Sequence, residues 1–244
     1  MQVRAYCAGP SATQLRVGPR DEGDLAILLR EAAEQCHAQT NDGSVSPRGQ
    51  RFVVEGTFIH GPLGLKLKPA DVESLAAASA CVEVHLMRDV EEHRRQLRAT
   101  VPTDQLEDHL PPPDGYIPEI EVLFGLRGPD MSFDDVTERL GLTPTSMTRP
   151  ERPFTSKGEA RRQQWVFSSG PLRGNDFREP LEGLLTLLAD RAPQILAISS
   201  EMRVEPSVDL IALDYSDRVP ALELESEHLQ LLARLRSRLW LDVL

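Results

Sequence analysis

Apolar and polar positions follow regular periods through the second half of the chain, and each change of period marks an element. Ile120, Val122 and Phe124 alternate with Glu119, Glu121 and Leu123, which predicts a strand over 119–126. Ser132 then caps a helix that runs through Val136 to Leu140 and stops at Gly141. A polar, proline-rich loop is expected over 143–160, followed by a strand over 163–168. Leu181, Leu184, Leu185 and Leu188 recur at helical spacing and predict a helix over 177–191. Two strands are expected over 195–204 and 208–215, joined by a turn at Pro206. Leu222 and Leu224 alternate with Glu223 and Glu225 in a short strand, and Ser226 caps a last helix with Leu229, Leu232 and Ala233 inward. The chain closes on a strand in which Leu239, Leu241 and Val243 face the core and Trp240 and Asp242 face away.

The first half carries a similar pattern. Residues 64–87 and 221–244 align without a gap. Leu65-Lys66-Leu67 stands beside Leu222-Glu223-Leu224, and a helix with Val72, Leu75 and Ala76 inward stands beside one with Leu229, Leu232 and Ala233 inward. A strand from Val82 to Met87 stands beside Leu239 to Leu244. Upstream, residues 52–58 match 209–215, and Val3 and Leu15 fall in short stretches that match the strands at Ile120 and Trp165. This points to an internal pseudo-repeat. Between the halves lies a charged stretch with Glu91, Glu92, Arg94, Arg95 and Arg98, then Pro111-Pro112-Pro113-Asp114-Gly115. Prolines there favour an extended spacer. The expected organisation is a lobe over 1–89, a linker over 90–115 and a lobe over 116–244.

Charge narrows the partners. Against 27 Lys and Arg stand 38 Asp and Glu, a net charge of -11. That balance argues against broad binding to nucleic acid or to an anionic membrane, where cations must dominate. The three cysteines, Cys7, Cys36 and Cys81, are widely spaced and read as buried thiols rather than a disulfide framework or a zinc site. No apolar run reaches the length of a membrane span or a signal peptide, so a cytoplasmic location is expected.

No nucleophile elbow, phosphate loop, dinucleotide fingerprint or zincin helix is present. Glu83 and His85 share a strand face, Asp134 and Asp135 fall in a helix's first turn, and Glu223 and Glu225 point outward. These positions suit surface and dipole roles better than catalysis or metal binding, and no cofactor or metal is expected. The strongest candidate for recognition is the basic loop that holds Arg149, Arg152, Lys157, Arg161 and Arg162, with Trp165 beside it. Arg offers a planar donor fork, so an anion or an acidic protein surface is the ligand such a loop fits.

Residues 118–244 also resemble a known family. The strand from Glu119, the run Phe133-Asp134-Asp135-Val136-Thr137-Glu138-Arg139-Leu140-Gly141-Leu142-Thr143-Pro144-Thr145, Lys157-Gly158, Trp165-Val166-Phe167 and the closing Leu239-Trp240-Leu241-Asp242-Val243 are similar to the bacterial domain of unknown function 4279 family. The first half has no Gly-Leu-x-Pro-Thr element and no Trp, so it stands as a degenerate copy. The resemblance implies a fold and no mechanism. The expected fold class is α+β: two related lobes of mainly antiparallel sheet with helices on one face. The expected function is a non-catalytic bacterial binding protein, an immunity or regulatory factor. The alternative is a small-ligand binder or enzyme with its site between the lobes near Trp165.

Overall fold

Two sheets built from opposite halves of the chain each borrow one strand from the other half. The computed structural model describes residues 2–8, 14–15, 51–58, 63–78, 80–88, 95–96, 98–99, 117–150, 162–213 and 219–243. Among these, the first half supplies β1 (Gln2–Ala8), β2 (Gln14–Leu15), β3 (Arg51–Phe58), β4 (Leu63–Leu67), α1 (Pro69–Ala77) and β5 (Cys81–Arg88). The second supplies β6 (Glu119–Gly128), α2 (Phe133–Leu140), β7 (Ser146–Thr148), β8 (Gln163–Ser168), β9 (Leu172–Arg173), α3 (Arg178–Asp190) and α4 (Ala192–Met202). It continues with β10 (Glu205–Leu213), β11 (Leu222–Leu224), α5 (Ser226–Arg234) and β12 (Arg238–Val243).

One sheet runs β11-β5-β3-β1-β2 and the other β4-β12-β10-β6-β8-β7, with β9 paired on β6. Most neighbours are antiparallel; β3 with β5 and β10 with β12 are parallel. The fold is α+β, as the alternation of strands and helices predicts. Strand β4 pairs with β12, so Leu65 meets Leu241 and Leu67 meets Leu239. Strand β11 pairs with β5, so Leu222 meets Val84 and Leu224 meets Val82. Helix α1 carries the chain from β4 in one sheet to β5 in the other, and α5 makes the reverse crossing from β11 to β12. The two helices pack against each other. Each sheet is completed by a strand from the other side of residues 90–115, a segment that lies mostly outside the described residues.

Local chemistry explains the helices. Ser132 Oγ accepts from Asp135 N–H, and Gly141 closes α2 at φ 61, a conformation glycine takes without penalty. The Lys68 N–H donates to Asp71 Oδ2 at 3.0 Å, and the Glu225 N–H donates to His228 Nδ1 at 3.2 Å. Each contact satisfies a donor at a helix N-terminus. The cap of α5 is thus Glu225, one residue before the expected Ser226.

Two expectations change. Residues 195–204 do not form a strand; α4 covers most of them, and Pro206 lies inside β10 instead of in a turn. A short apolar run such as Ile195-Leu196-Ala197-Ile198 suits either state. Pro193 in the first turn and packing of buried Ile195 and Ile198 decide for helix. The proline-rich loop also contains the exposed edge strand β7, and residues 151–161 lie outside the described residues.

Buried residues form one cluster that joins both sheets and all five described helices, from Leu65 and Val84 to Phe124, Leu188, Leu210 and Leu241. Among the described residues no helix is long and apolar enough to cross a membrane.

Candidate anion-binding pocket

Strand alternation sends the polar residues of β4, β10 and β12 to the face opposite the core. On β12, Leu239, Leu241 and Val243 are buried, and Arg238, Trp240 and Asp242 emerge on the other side. Lys66 sits across the ladder from Trp240, and its Nζ lies 3.8 Å from the centre of the indole ring. This is a cation–π contact at a partly exposed site.

At one end of this face is a cavity of about 410 Å³. Lys66, Lys68, Arg236 and Arg238 line it, with Glu205 as the one carboxylate among the described residues. Leu67, Pro69, Pro206, Leu239 and Trp240 make the remaining walls, which are mainly apolar. Glu205 is paired with Arg162, so the negative charge in the lining is already matched. Arg236 takes a left-handed backbone, φ 53, just after α5. That conformation is uncommon for a residue with a Cβ.

Behind the cavity, charges continue into the sheet. Asp209 is buried; its Oδ2 accepts from Ser207 Oγ at 3.2 Å and stands 3.4 Å from Arg127 Nη2. Burial pushes the Asp209 carboxyl above the ordinary value, against the opposing pull of Arg127, Ser207 and Arg238. Burial, reinforced by nearby Arg127, pulls the Arg238 guanidinium below its ordinary value despite Asp209 and Glu205. Arg238 Nε and the indole Nε1 of Trp240 are enclosed with no hydrogen-bond partner, as is Arg127 Nε. All three are donors, and buried donors are normally paired.

Three of the expected recognition residues, Arg149, Arg162 and Trp165, fall among the described residues. Trp165 is fully buried, set edge-on to Phe124 at 6.4 Å, and its Nε1 donates to Thr137 Oγ1 at 3.1 Å. It is a core residue with its polar atom satisfied. Arg149 lies 4.8 Å from the Phe133 ring. Arg152, Lys157 and Arg161 lie outside the described residues. Arg162 reaches the cavity wall through Glu205. The residues that do converge, Lys66, Lys68, Arg236, Arg238 and Trp240, escaped the sequence reading. Their signal was the alternation of cations with leucines in 65–68 and of arginines in 234–238, which reads as ordinary surface until the two stretches are paired.

Other candidates are weaker. A larger groove of about 680 Å³ runs beside α3 and α5, but there Glu182, Glu225 and Glu227 are mixed with His228 and Arg234. Cys81, Glu223 and Glu225 bring a thiol and two carboxylates within 4.8 Å of one another. There Glu223 is held by Arg178. His85 Nε2 stands 3.4 Å from Glu83 Oε2 on an exposed strand face.

A family model for a domain of unknown function, DUF4279, matches residues 118–244, just over half of the chain. The chain belongs to the DUF4279 family. Searches of curated proteins and of solved structures gave no match. The DUF4279 match covers Arg236, Arg238 and Trp240, whereas Lys66 and Lys68 precede it. The cavity is therefore assembled from the family unit and from a strand that the unit borrows.

Proposed function

We propose that the protein is a non-catalytic binding protein that receives an anionic group in the cavity where β4 joins β12. The observation that carries this reading is the convergence of Lys66, Lys68, Arg236 and Arg238 on one concavity in a chain of net charge -11. Clustered cations repel one another, and an anion relieves that repulsion while supplying acceptors for their donors. The lining offers cations and apolar walls, with its carboxylate held by Arg162, which suits binding better than bond-making.

The same reading gives occupancy a regulatory consequence. Lys66 and Lys68 come from the first half and Arg236 and Arg238 from the second, so a ligand ties the halves together. A ligand that binds only the folded state stabilises it by mass action. In this reading Arg162, paired with Glu205, belongs to the same positive surface.

The halves themselves are proposed to be copies of one unit. Matching Val82 with Leu239 makes the β4–β12 and β11–β5 ladders equivalent, pair for pair. The parallel ladders then match Phe52 with Val208, one residue earlier than sequence similarity suggests.

The test is titration with inorganic phosphate at low salt by calorimetry. Arg236→Gly is the informative variant, because glycine fits the left-handed backbone and removes only the side chain. Losing one charge-assisted contact, worth about 1.5–3 kcal/mol, should weaken binding roughly 10- to 100-fold with melting temperature kept. Equal affinity in both proteins rejects the pocket.

A further inference from the structure

The geometry points to an amphiphilic oxyanion as the occupant: a carboxylate or phosphate head on the cationic side chains, carried by a flat apolar body that lies along the Trp240 wall. This deepens the proposed binding function and rests on it. Two features of the cavity go beyond positive charge.

The first is the wall. A site built for a small hydrated ion would be lined by polar atoms throughout. Here the lining is mainly apolar, with Pro69, Pro206 and Trp240 beside Lys66, Lys68, Arg236 and Arg238. The volume of about 410 Å³ falls in the range of cavities that hold organic ligands, about 300–1,000 Å³. An inorganic ion would leave most of it unfilled and the apolar wall wet. An apolar body removes that surface from water.

The second is the sign of the missing hydrogen bonds. Arg238 Nε and Trp240 Nε1 come from alternate residues of β12, which share one face of the sheet, and both are donors without an acceptor. An ionised carboxylate or phosphate is the complement of such a pair, since it accepts and does not donate. Both atoms are covered by the protein's own side chains, and Lys66 Nζ lies over the same indole ring, so a ligand reaches them only when that cover moves. The exposed Lys66 side chain is the element free to swing from the ring to the anion, which opens Trp240 to the ligand body.

The experiment compares matched probes on the full chain: phenyl phosphate against inorganic phosphate, benzoate against acetate, and benzyl alcohol as a body without a charge. Calorimetry gives affinity, and tryptophan emission reports the indole, with Trp240→Phe to assign the change. The expected result is at least tenfold tighter binding of each phenyl probe than of its bare head group. An emission change lost in Trp240→Phe, and no binding of benzyl alcohol, complete the expectation. The ratio between phenyl phosphate and benzoate identifies the preferred head. If the bare anions bind and weaken in Arg236→Gly, but the phenyl group adds less than twofold, the amphiphile proposal is overturned and anion binding stands. Tight binding of benzyl alcohol overturns it as well, because the head is then idle. If no anion binds, the binding function itself fails.

Discussion

Leu65 and Leu241 stand opposite each other across the β4–β12 ladder, and that pair joins two stretches of chain from opposite sides of residues 90–115. Both side chains are buried. The corresponding pair on the other sheet is Leu222 with Val84, also buried. Each half thus contributes an edge strand to the other's sheet, and neither sheet is complete alone.

Unfolding should accordingly be cooperative across both halves. Leu241→Ala should cost about 2–5 kcal/mol, the range for a buried leucine truncated to alanine. Urea denaturation followed by circular dichroism should show one transition, shifted as a whole to lower urea. Two resolved transitions, with only one of them moved, would show that the halves fold independently.

A fragment of residues 118–244 should be markedly less stable than the full chain. It keeps the family unit but leaves the β12 edge without β4 and β11 without β5. Unpaired edges expose backbone donors and acceptors and invite association. Size-exclusion chromatography should show self-association or loss of structure. A monomeric fragment with the full chain's melting temperature would contradict the exchange.

Glu205→Gln should tighten anion binding. It removes the carboxylate in the cavity lining and frees Arg162. The pair is more than half exposed on both sides, so the stability cost should be about 0–1 kcal/mol. Affinity for inorganic phosphate should rise several-fold at low salt and the gain should shrink as salt screens it. An unchanged or weaker affinity counts against the pocket.

Asp209 should make stability depend on pH. Its folded-state affinity for a proton is raised above the ordinary value of 3.8, mainly by burial. A raised value means the contribution is full below the unfolded value and is lost as pH rises through the folded one. The stability of the natural protein relative to Asp209→Asn should therefore fall as pH is raised from about 3 toward neutrality. Paired thermal melts across that window test it; a natural protein that gains stability relative to Asp209→Asn as pH rises would reverse the sign.

Gly125→Ala should destabilise the same corner. A Cβ there would come within 2.8 Å of Ser207 Oγ, the hydroxyl that donates to Asp209. Moving it strains the sheet or breaks that hydrogen bond, at about 1–3 kcal/mol. Ser207→Ala in the same background should recover part of the loss, and no recovery would place the strain elsewhere.

The sequence by itself determined the elements whose cause is local. The alternation in Glu119–Gly128 and Arg238–Val243, the leucine spacing of α3 and the Ser132 and Gly141 boundaries of α2 follow from side-chain period and backbone chemistry, which neighbouring residues carry. The α+β class followed from their order. Tertiary structure decided what local pattern leaves open. The apolar run from Ile195 becomes α4 because Ile195 and Ile198 find a core on one helical face, and Trp165 packs its ring in the core with its N–H satisfied by Thr137. The pocket is the clearest case. Lys66 and Lys68 on one side, Arg236 and Arg238 on the other, are unremarkable cations between leucines until β4 is laid against β12. Strand pairing between distant segments is set by which edges remain open once both sheets form, and no short window of residues holds that information.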